Sequence, residues 1–558
     1  MGVFGPGQGQ QLHVRTLVAC LWAALTAGFV YSFSAYSVAL QAKFDLSQNQ
    51  ISTIGTAHIA VALLTFTCGL LVDRVGLRTT LVCGSVLNAL SWLIYGFIAV
   101  LGWRIPHVVW VFAFLAASAT YGAGCTVAAV FSTLAKNFGE ERGAAIGIAK
   151  AWTGVSSGIV TTLFLGIVPS ADGDPKRLIL LWVLASCIVL LALLPSPFIA
   201  VLTESTAPLK AKLRAERSGT LRRQLRLLTL ATLGLIGVTV AASLLQASAP
   251  RSVTVALSAL IVTGVFAPAW LLVPGMDRLG SSSSSSHEAV AALAAEVSDG
   301  GGGSAEADHR SSEASGSDAR ASPWVCGPLG VVRRVEGWLL WFAIFAMQSG
   351  AILITTNLGS IVQTRSGLPV SAATAVSLFS CAQSLGRLFG GFVSDSVVAR
   401  RVARPWCLAV LLIGMAIAQV LLLAPGRHAL YAGVILAGTS FGTMYPVMIC
   451  TITELFGTAR IASNYMIFDG SPMALGSILV AKGLAQVVYS AHGAEASSGR
   501  VVCDGDACFR LTFGLAAGLQ LLAAVAAAVL ATRSIVVYRV SVWPPLIDDV
   551  GEVTRHSA

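Results

Sequence analysis

Ionisable side chains interrupt several long apolar runs of this sequence, among them His58, Lys150, Asp469 and Lys482. A charged group inside a membrane is costly unless it is paired or hydrated, so each is a functional candidate. Lys150 and Asp469 could bind an anionic group, gate the inner mouth or exchange a proton, or they could form a fixed ion pair. His58 could titrate or donate a structural hydrogen bond, and Lys482 lies where a lysine could snorkel to the membrane surface.

A second set of polar residues lies between apolar runs, and it occurs twice. The first copy reads Gly69-Leu-Leu-Val-Asp73-Arg74-Val-Gly76-Leu-Arg78, and the weaker second copy is Gly391-Phe-Val-Ser-Asp395 followed by Arg400, Arg401 and Arg404. The aspartate would end one helix, glycines allow close backbone approach, and arginines would hold the next helix at the inner surface. A repeated charged hinge indicates a gate of a rocking transporter. The alternative is a tight cytoplasmic turn with stop-transfer charges.

The composition requires that these residues be positioned by membrane helices. Of 558 residues, 55% are hydrophobic and 11% charged, and the mean hydropathy is +0.78, so no soluble core could bury the apolar surface. Runs long enough to cross a bilayer recur along the chain. We predict an all-α integral membrane protein of about fourteen spans, at 15–38, 51–72, 78–101, 107–134, 143–168, 178–200, 227–246, 252–273, 335–361, 371–394, 406–424, 429–452, 461–489 and 510–532.

The charge distribution predicts the topology. Most of the 36 Lys and Arg residues fall in alternate connections, which the positive-inside rule assigns to the cytoplasm, together with both termini. The net charge of +10 therefore does not indicate nucleic acid as a partner. The predicted organisation is a cytoplasmic N-terminus (1–14), a six-helix half (15–201), a basic cytoplasmic loop (202–226), an extra two-helix hairpin (227–273), a disordered Ser/Gly-rich cytoplasmic linker (274–334), a second six-helix half (335–532) and a cytoplasmic tail (533–558).

A second repeated motif supports a duplication of six-helix halves. Phe138-Gly139 is followed by Arg142, and Phe456-Gly457 by Arg460, each at the predicted cytoplasmic end of an equivalent helix. Aligning the two motifs brings Lys150 within one residue of Asp469, so the halves carry opposite charges at similar depth. The predicted gate and hinge residues are Gly69, Asp73, Arg74, Gly76, Arg78, Arg142, Arg387, Gly391, Asp395 and Arg460.

Most of the eleven cysteines lie within the apolar runs, and two others lie close together in the sequence. Cys503 and Cys508 flank a polar loop assigned to the outer or lumenal side, where a disulfide persists. We favour a disulfide over a free pair, and over metal binding because further ligands are missing. The sequence indicates no cofactor, and it leaves any metal site unknown.

The hinge resembles the loop motif of the major facilitator superfamily between its second and third helices, except at Leu77, where that family usually has a basic residue. This departure predicts a weaker local charge network. Further stretches resemble the nodulin-like group of that superfamily. They are Gly28-Phe-Val-Tyr31-Ser-Phe33-Ser34-Ala-Tyr36-Ser37, Asn357-Leu-Gly359, Gly386-Arg387-x-x-Gly390-Gly391-x-x-Ser394-Asp395, Glu454-Leu-Phe456-Gly457, Asn464, Ser471-Pro472 and Cys503 to Phe509.

The resemblance implies the major facilitator fold, in which the first and fourth helices of each half line a central cavity. Hydroxyl, amide and aromatic side chains on these helices suit a small polar solute, or they could join helices by hydrogen bonds. Gln348 is among them. With the two intramembrane charges, the predicted substrate or proton pathway is Tyr31, Ser34, Tyr36, Tyr121, Lys150, Asn357, Tyr445 and Asp469.

The predicted function is secondary active transport of a small solute by alternating access. The resemblance implies iron or another metal ion as cargo, whereas Lys150 fits a proton-coupled monocarboxylate or organic-anion transporter better. A non-transporting solute sensor is a third possibility. No Walker loop or nucleophile elbow occurs, so we do not expect an enzyme. We expect a monomer, with the bilayer and a small molecule or ion as partners, in the plasma membrane or in an internal acidic organelle or vacuole membrane.

Overall fold

The computed structural model describes residues 6–168, 174–201, 210–245, 250–272, 323–363, 372–492, 494–495, 501–502 and 507–543. These residues are almost entirely helical, as the apolar runs predict, because a backbone within a membrane must satisfy its hydrogen bonds internally. The pair Cys503 and Cys508 is not tested, because Cys503 and the loop after it lie outside the described residues, as do residues 274–322 of the predicted linker and the end of the tail.

The residues described before the predicted linker form ten α-helices. They are α1 (Pro6–Ala27), α2 (Phe33–Phe44), α3 (Gln48–Ala60), α4 (Phe66–Val75), α5 (Leu77–Leu101), α6 (Val108–Asn137), α7 (Arg142–Ile167), α8 (Leu180–Ile188), α9 (Lys210–Leu245) and α10 (Arg251–Phe266). Short 3₁₀ or π turns continue several of them, at Gly28–Ser32, Val61–Leu64, Gly139–Glu141, Pro175–Ile179, Val189–Leu193, Ser196–Phe198 and Ala267–Leu272.

In the second part of the chain, the described residues form eight α-helices and one pair of two-residue strands. The helices are α11 (Pro328–Arg333), α12 (Val335–Gln363), α13 (Ala372–Ala399), α14 (Pro405–Leu421), α15 (Arg427–Phe456), α16 (Ile461–Gly476), α17 (Ala485–His492) and α18 (Ala507–Val537). A π-helical turn, Ser477–Leu484, joins α16 to α17, and another, Tyr538–Val542, follows α18. Strands β1 (Ala494–Glu495) and β2 (Val501–Val502) pair antiparallel.

Helices cover all fourteen predicted spans, but fewer of them have the length and composition of a complete membrane crossing. Within the described residues, 10 helices pass that test, and the α3–α4 pair, bent by 45°, would make 11. Helix α14 is apolar but shorter. The chain is an integral, multi-pass membrane protein, and the number fourteen stays a prediction.

The two six-helix halves meet along two seams. At one seam α7 of the first half packs against α13 of the second, and at the other α4 packs against α16. Each seam thus pairs helices from opposite halves. The extra hairpin of α9 and α10 packs against α7, and α9 also contacts α13.

Two segments differ from their predicted boundaries. Helix α9 begins at Lys210, inside the predicted basic loop, and α11 forms within the predicted linker. The residues that extend α9 include Lys, Arg, Leu, Ala and Glu, which favour helices even outside a membrane. The positive charge of this segment therefore gave no information about its backbone, and its assignment to a cytoplasmic connection stays a prediction.

Candidate functional site

A cluster of charged and aromatic side chains lies where α7, α13 and α16 meet; we call Lys150, Arg387, Tyr465 and Asp469 the central cluster. Lys150 is the ninth residue of α7 and Asp469 the ninth of α16, so equivalent helices of the two halves supply opposite charges at one level. Tyr465 precedes Asp469 by one helical turn and shares its face of α16. The structure therefore brings together the two charges that the sequence aligned.

The contacts within the central cluster are short. Lys150 Nζ lies 3.5 Å from Asp469 Oδ1 and donates a hydrogen bond of 2.7 Å to the hydroxyl of Tyr465. That hydroxyl donates in turn to Asp469 Oδ1 at 2.7 Å. The side chain of Lys150 is 5% exposed and that of Asp469 is 21% exposed, so the ion pair is largely shielded from solvent.

Arg387 brings a second positive charge to the cluster without a carboxylate of its own. It is 2% exposed, and its Nη1 donates to the backbone carbonyl of Lys150 at 3.2 Å. Among the described residues no carboxylate oxygen lies within 4.0 Å of its guanidinium, and its buried Nε has no hydrogen-bond partner. Two cations thus face one carboxylate, which leaves a formal charge of +1 in the cluster.

Aromatic rings surround these cations. The Nζ of Lys150 lies 4.3 Å from the ring centroid of Phe131 and 4.6 Å from that of Tyr445, and the guanidinium carbon of Arg387 lies 4.7 Å from the Tyr445 centroid. Cation–π contacts of this kind stabilise charge where water is scarce. Gln348, which is fully buried, donates to the backbone carbonyl of Asp469 at 3.4 Å.

Three further predicted pathway residues lie near the central cluster or join helices elsewhere. Tyr31 is half exposed and lies within electrostatic range of Arg387 and Asp469. Tyr121 pairs its hydroxyl with Thr67 at 2.6 Å, and Asn357 donates to the carbonyl of Ala481 at 3.3 Å, so both join helices.

The structure does not bring Tyr36 to the central cluster. Its ring is buried in the first half against Trp92 and Tyr95, where it packs edge-on to both. The side chain of Ser34 is not described.

The two predicted hinges lie at one end of the bundle, which we call the hinge end, and their aspartates bind helix starts in the opposite half. Asp395, on α13, accepts a hydrogen bond of 3.1 Å from the backbone N–H of Ala144 on α7. Asp73, on α4, accepts one of 3.1 Å from the backbone N–H of Ser463 on α16, and a second from the Ser463 hydroxyl. Ala144 and Ser463 are each the third residue of their helix, where unpaired N–H groups favour an acceptor with negative charge.

Glycines allow these crossings. A Cβ atom on Gly69 would overlap the backbone of Ala462 and Ser463, and one on Gly391 would overlap the backbone of Gly143. Gly76 has φ +102°, which lets the chain turn between α4 and α5. Gly69 and Gly391 therefore permit the close helix approach that Asp73 and Asp395 use.

The hinge arginines have different partners. Arg74 and Arg78 are exposed, and Arg78 donates to the carbonyl of Ile199 at 3.4 Å. Arg142 donates to the carbonyl of Gly139 at 2.8 Å, and the guanidinium of Arg460 lies beside Gly327. Arg387, predicted as a gate residue, lies instead in the central cluster.

The second hinge contains an ion network that the first does not share. Arg404 contacts Asp395 Oδ1 and Glu454 Oε1, both at 2.7 Å, and the Tyr538 hydroxyl donates to Glu454 at 2.6 Å. Burial alone would lower the pKa of Arg404, but the carboxylates of Glu454 and Asp395 hold that pKa well above its usual value. Asp73 takes part in no ion pair among the described residues, in agreement with the weaker network expected from Leu77.

Models of known protein families match both halves of the chain. A family model described as Nodulin-like matches residues 14–274, and one described as the NFD4 C-terminal domain matches residues 326–540. The chain is a nodulin-like protein. It is also 22% identical over 544 residues to Protein NUCLEAR FUSION DEFECTIVE 4 of Arabidopsis thaliana, covering 94% of this chain and 89% of that protein.

Solved structures show the fold that this nodulin-like protein shares with transporters of the major facilitator superfamily. The proton:xylose symporter XylE, bound to 6-bromo-6-deoxy-D-glucose, superimposes with a TM-score of 0.53 at 15% identity, covering 92% of this chain and 94% of the other. The transporter FucP in its outward conformation gives a TM-score of 0.50 at 13% identity, covering 92% and 98%. These similarities show the shared fold.

Several residues of the site were not predicted from the sequence. Tyr465 could have been found, because it lies four positions before Asp469 on one helix face. Ala144 acts through its backbone N–H, which leaves no residue-type signal, and Ser463 makes one of its two bonds to Asp73 in the same way. Phe131 looks like any apolar span residue, and only the fold places it over Lys150.

Proposed function

We propose that this nodulin-like protein is a secondary active transporter that moves a small organic anion, such as a monocarboxylate, by alternating access. The observation that supports the anion is the second cation: Arg387 is buried beside Lys150, and Asp469 is the only carboxylate in the cluster among the described residues. A buried charge without a partner is costly, so an anionic substrate that supplies the missing charge is favoured. The carboxylate would contact Lys150 Nζ and Arg387 Nε.

The hinge contacts support alternating access. Both aspartates bind helix starts of the opposite half at the hinge end, so the halves must separate there before a solute can leave on that side. The charge distribution supports a cytoplasmic position for this end. On this proposal the contacts of Asp73 and Asp395 form the inner gate.

Uptake into proteoliposomes tests the anion. We expect saturable uptake of labelled L-lactate, and a loss of affinity of about tenfold or more for Lys150→Gln, because a hydrogen bond to a charged group contributes about 1.5–3 kcal/mol. Lys136→Gln is the matched control, since Lys136 lies at the end of α6 and has no ion pair among the described residues. Equal lactate uptake by Lys150→Gln and wild type would refute the assignment.

In this proposal transport is coupled to a proton, and Asp469 carries that proton. Protonation of this carboxylate would release Lys150 for the substrate, and Tyr465, hydrogen bonded to both, would keep the two groups aligned. We expect Asp469→Asn to abolish the dependence of uptake on a pH gradient. Persistence of that dependence would rule out Asp469 as the carrier.

The two other candidates have less support. No group of three or more His, Cys, Asp or Glu side chains that could hold a metal ion occurs within the described ranges, so iron as cargo rests on the family resemblance alone. Parallel uptake of ⁵⁵Fe²⁺ distinguishes it from the anion. A solute sensor would bind lactate without transporting it, so binding together with zero flux would favour that function.

A further inference from the structure

Helix α9 of the extra hairpin has one buried face along its membrane portion. Its buried residues recur at helical spacing, whereas Leu230, on the other side, is 63% exposed. The buried positions are Gln224, Leu225, Leu228, Thr229, Thr232, Leu235, Ile236, Thr239 and Ala242. A stripe with this spacing marks a helix that packs along its whole length against a neighbour.

Two polar contacts fasten this face to α7. Near the hinge end, Arg222 Nε lies 2.6 Å from Glu141 Oε1, in the turn just before α7 begins. Further into the membrane, the buried indole N–H of Trp152 donates to the Thr232 hydroxyl at 3.0 Å. Between helices in a membrane, hydrogen bonds and close packing replace the hydrophobic effect as the source of association.

The same helix also reaches the other half. Helix α9 packs against α13 as well as α7, so it lies along the seam that the Asp395–Ala144 contact closes at the hinge end. Opening of that end would draw the starts of α7 and α13 apart. A third helix attached to one and packed on the other would resist this movement.

We infer that α9 is a brace across the α7–α13 seam, and that its ties to α7 hold the hinge end closed. The inference rests on the alternating access proposed above, and it gives the extra hairpin a regulatory role. A ligand or modification that weakened the Glu141–Arg222 pair would favour the state open at the hinge end. The brace acts on one seam, so it would also make the opening asymmetric.

Distances between spin labels in the full-length protein test the brace. A keto amino acid introduced at positions 79 and 396, which are exposed at the hinge ends of the first and second halves, carries the labels without removing native cysteines. For Arg222→Ala we expect the population with the longer distance to rise about two- to fivefold, the range for a partly exposed ion pair. Thr232→Val should act in the same direction by leaving the indole N–H of Trp152 without its acceptor.

Two controls separate the brace from a general loss of charge or fold. Arg223→Ala removes the same charge from the next, exposed position and should leave the distances unchanged. Exchanging the partners, as Glu141→Arg with Arg222→Glu, should restore the wild-type populations. If wild type shows two populations of label distance and neither Arg222→Ala nor Thr232→Val changes them, the brace is overturned but alternating access is not. One distance in every variant and condition would overturn both the brace and alternating access.

Discussion

The two hinges of this nodulin-like protein make the same kind of contact between the halves, but different groups hold the aspartate in each. In both, an aspartate at the end of one helix accepts a hydrogen bond from the third residue of a helix in the opposite half. Around Asp395 the carboxylate is held by Arg404, which also binds Glu454. Asp73 is exposed and is held only by Ser463 among the described residues.

Because of this difference, we assign different roles to the two copies of the hinge motif. The second hinge positions its aspartate through a buried network within its own half, so the carboxylate stays in place whether or not the halves touch. The first hinge depends on the contact with the opposite half itself. We expect the second hinge to contribute mainly to the stability of the fold and the first mainly to the opening equilibrium.

Of the substitutions that test this comparison, removal of Arg404 should have the largest effect, and the effect is on stability. Arg404→Ala leaves the carboxylates of Asp395 and Glu454 facing each other in a buried site, and losing one partner of a buried ion pair costs about 3–5 kcal/mol. The apparent melting temperature of the purified protein should fall clearly. Arg400→Ala, an exposed arginine on the same turn, is the control; an equal effect of both variants would contradict the structural role of the network.

Ser463→Ala should have an intermediate effect on opening and little effect on folding. It removes the hydroxyl bond to the charged Asp73 carboxylate but keeps the backbone one, a loss of about 1.5–3 kcal/mol. Amide hydrogen exchange in the first turn of α16 should therefore accelerate, while the first turn of α7 keeps its rate. Ser396→Ala, whose exposed hydroxyl bonds only within its own helix, should change neither. Equal acceleration in both turns would show that the hinges are not independent.

Leu77→Lys should have the smallest effect. It places a cation four residues after Asp73, and a surface ion pair contributes about 0.2–1 kcal/mol. Its position at the start of α5 opposes part of that gain, because a cation is unfavourable at a helix N-terminus. We expect slightly slower exchange in the first turn of α16 than in Leu77→Gln. Faster exchange would mean that the missing basic residue does not explain the weaker hinge.

The sequence predicted those features that have a periodic or charged signal. Apolar runs located the helices, and the repeated hinge and Phe-Gly motifs located the two halves and paired Lys150 with Asp469. Arg387 was assigned to the hinge because its motif continues into Asp395, although it lies about two helical turns before Asp395 and belongs to the central cluster. The sequence did not predict the contacts made by backbone N–H groups or the packing of α9 along a seam. Both depend on the three-dimensional arrangement, and the residue types do not indicate them.

Exchange flux in proteoliposomes tests the central claim most directly, with wild type and Asp73→Asn compared at equal protein incorporation. An asparagine keeps an acceptor for Ser463 but loses the charge that favours the helix start, which contributes about 0.3–1 kcal/mol. We predict slower exchange of labelled L-lactate by Asp73→Asn, with unchanged binding at the central cluster. Equal flux of the two proteins would contradict a gate at the hinge end.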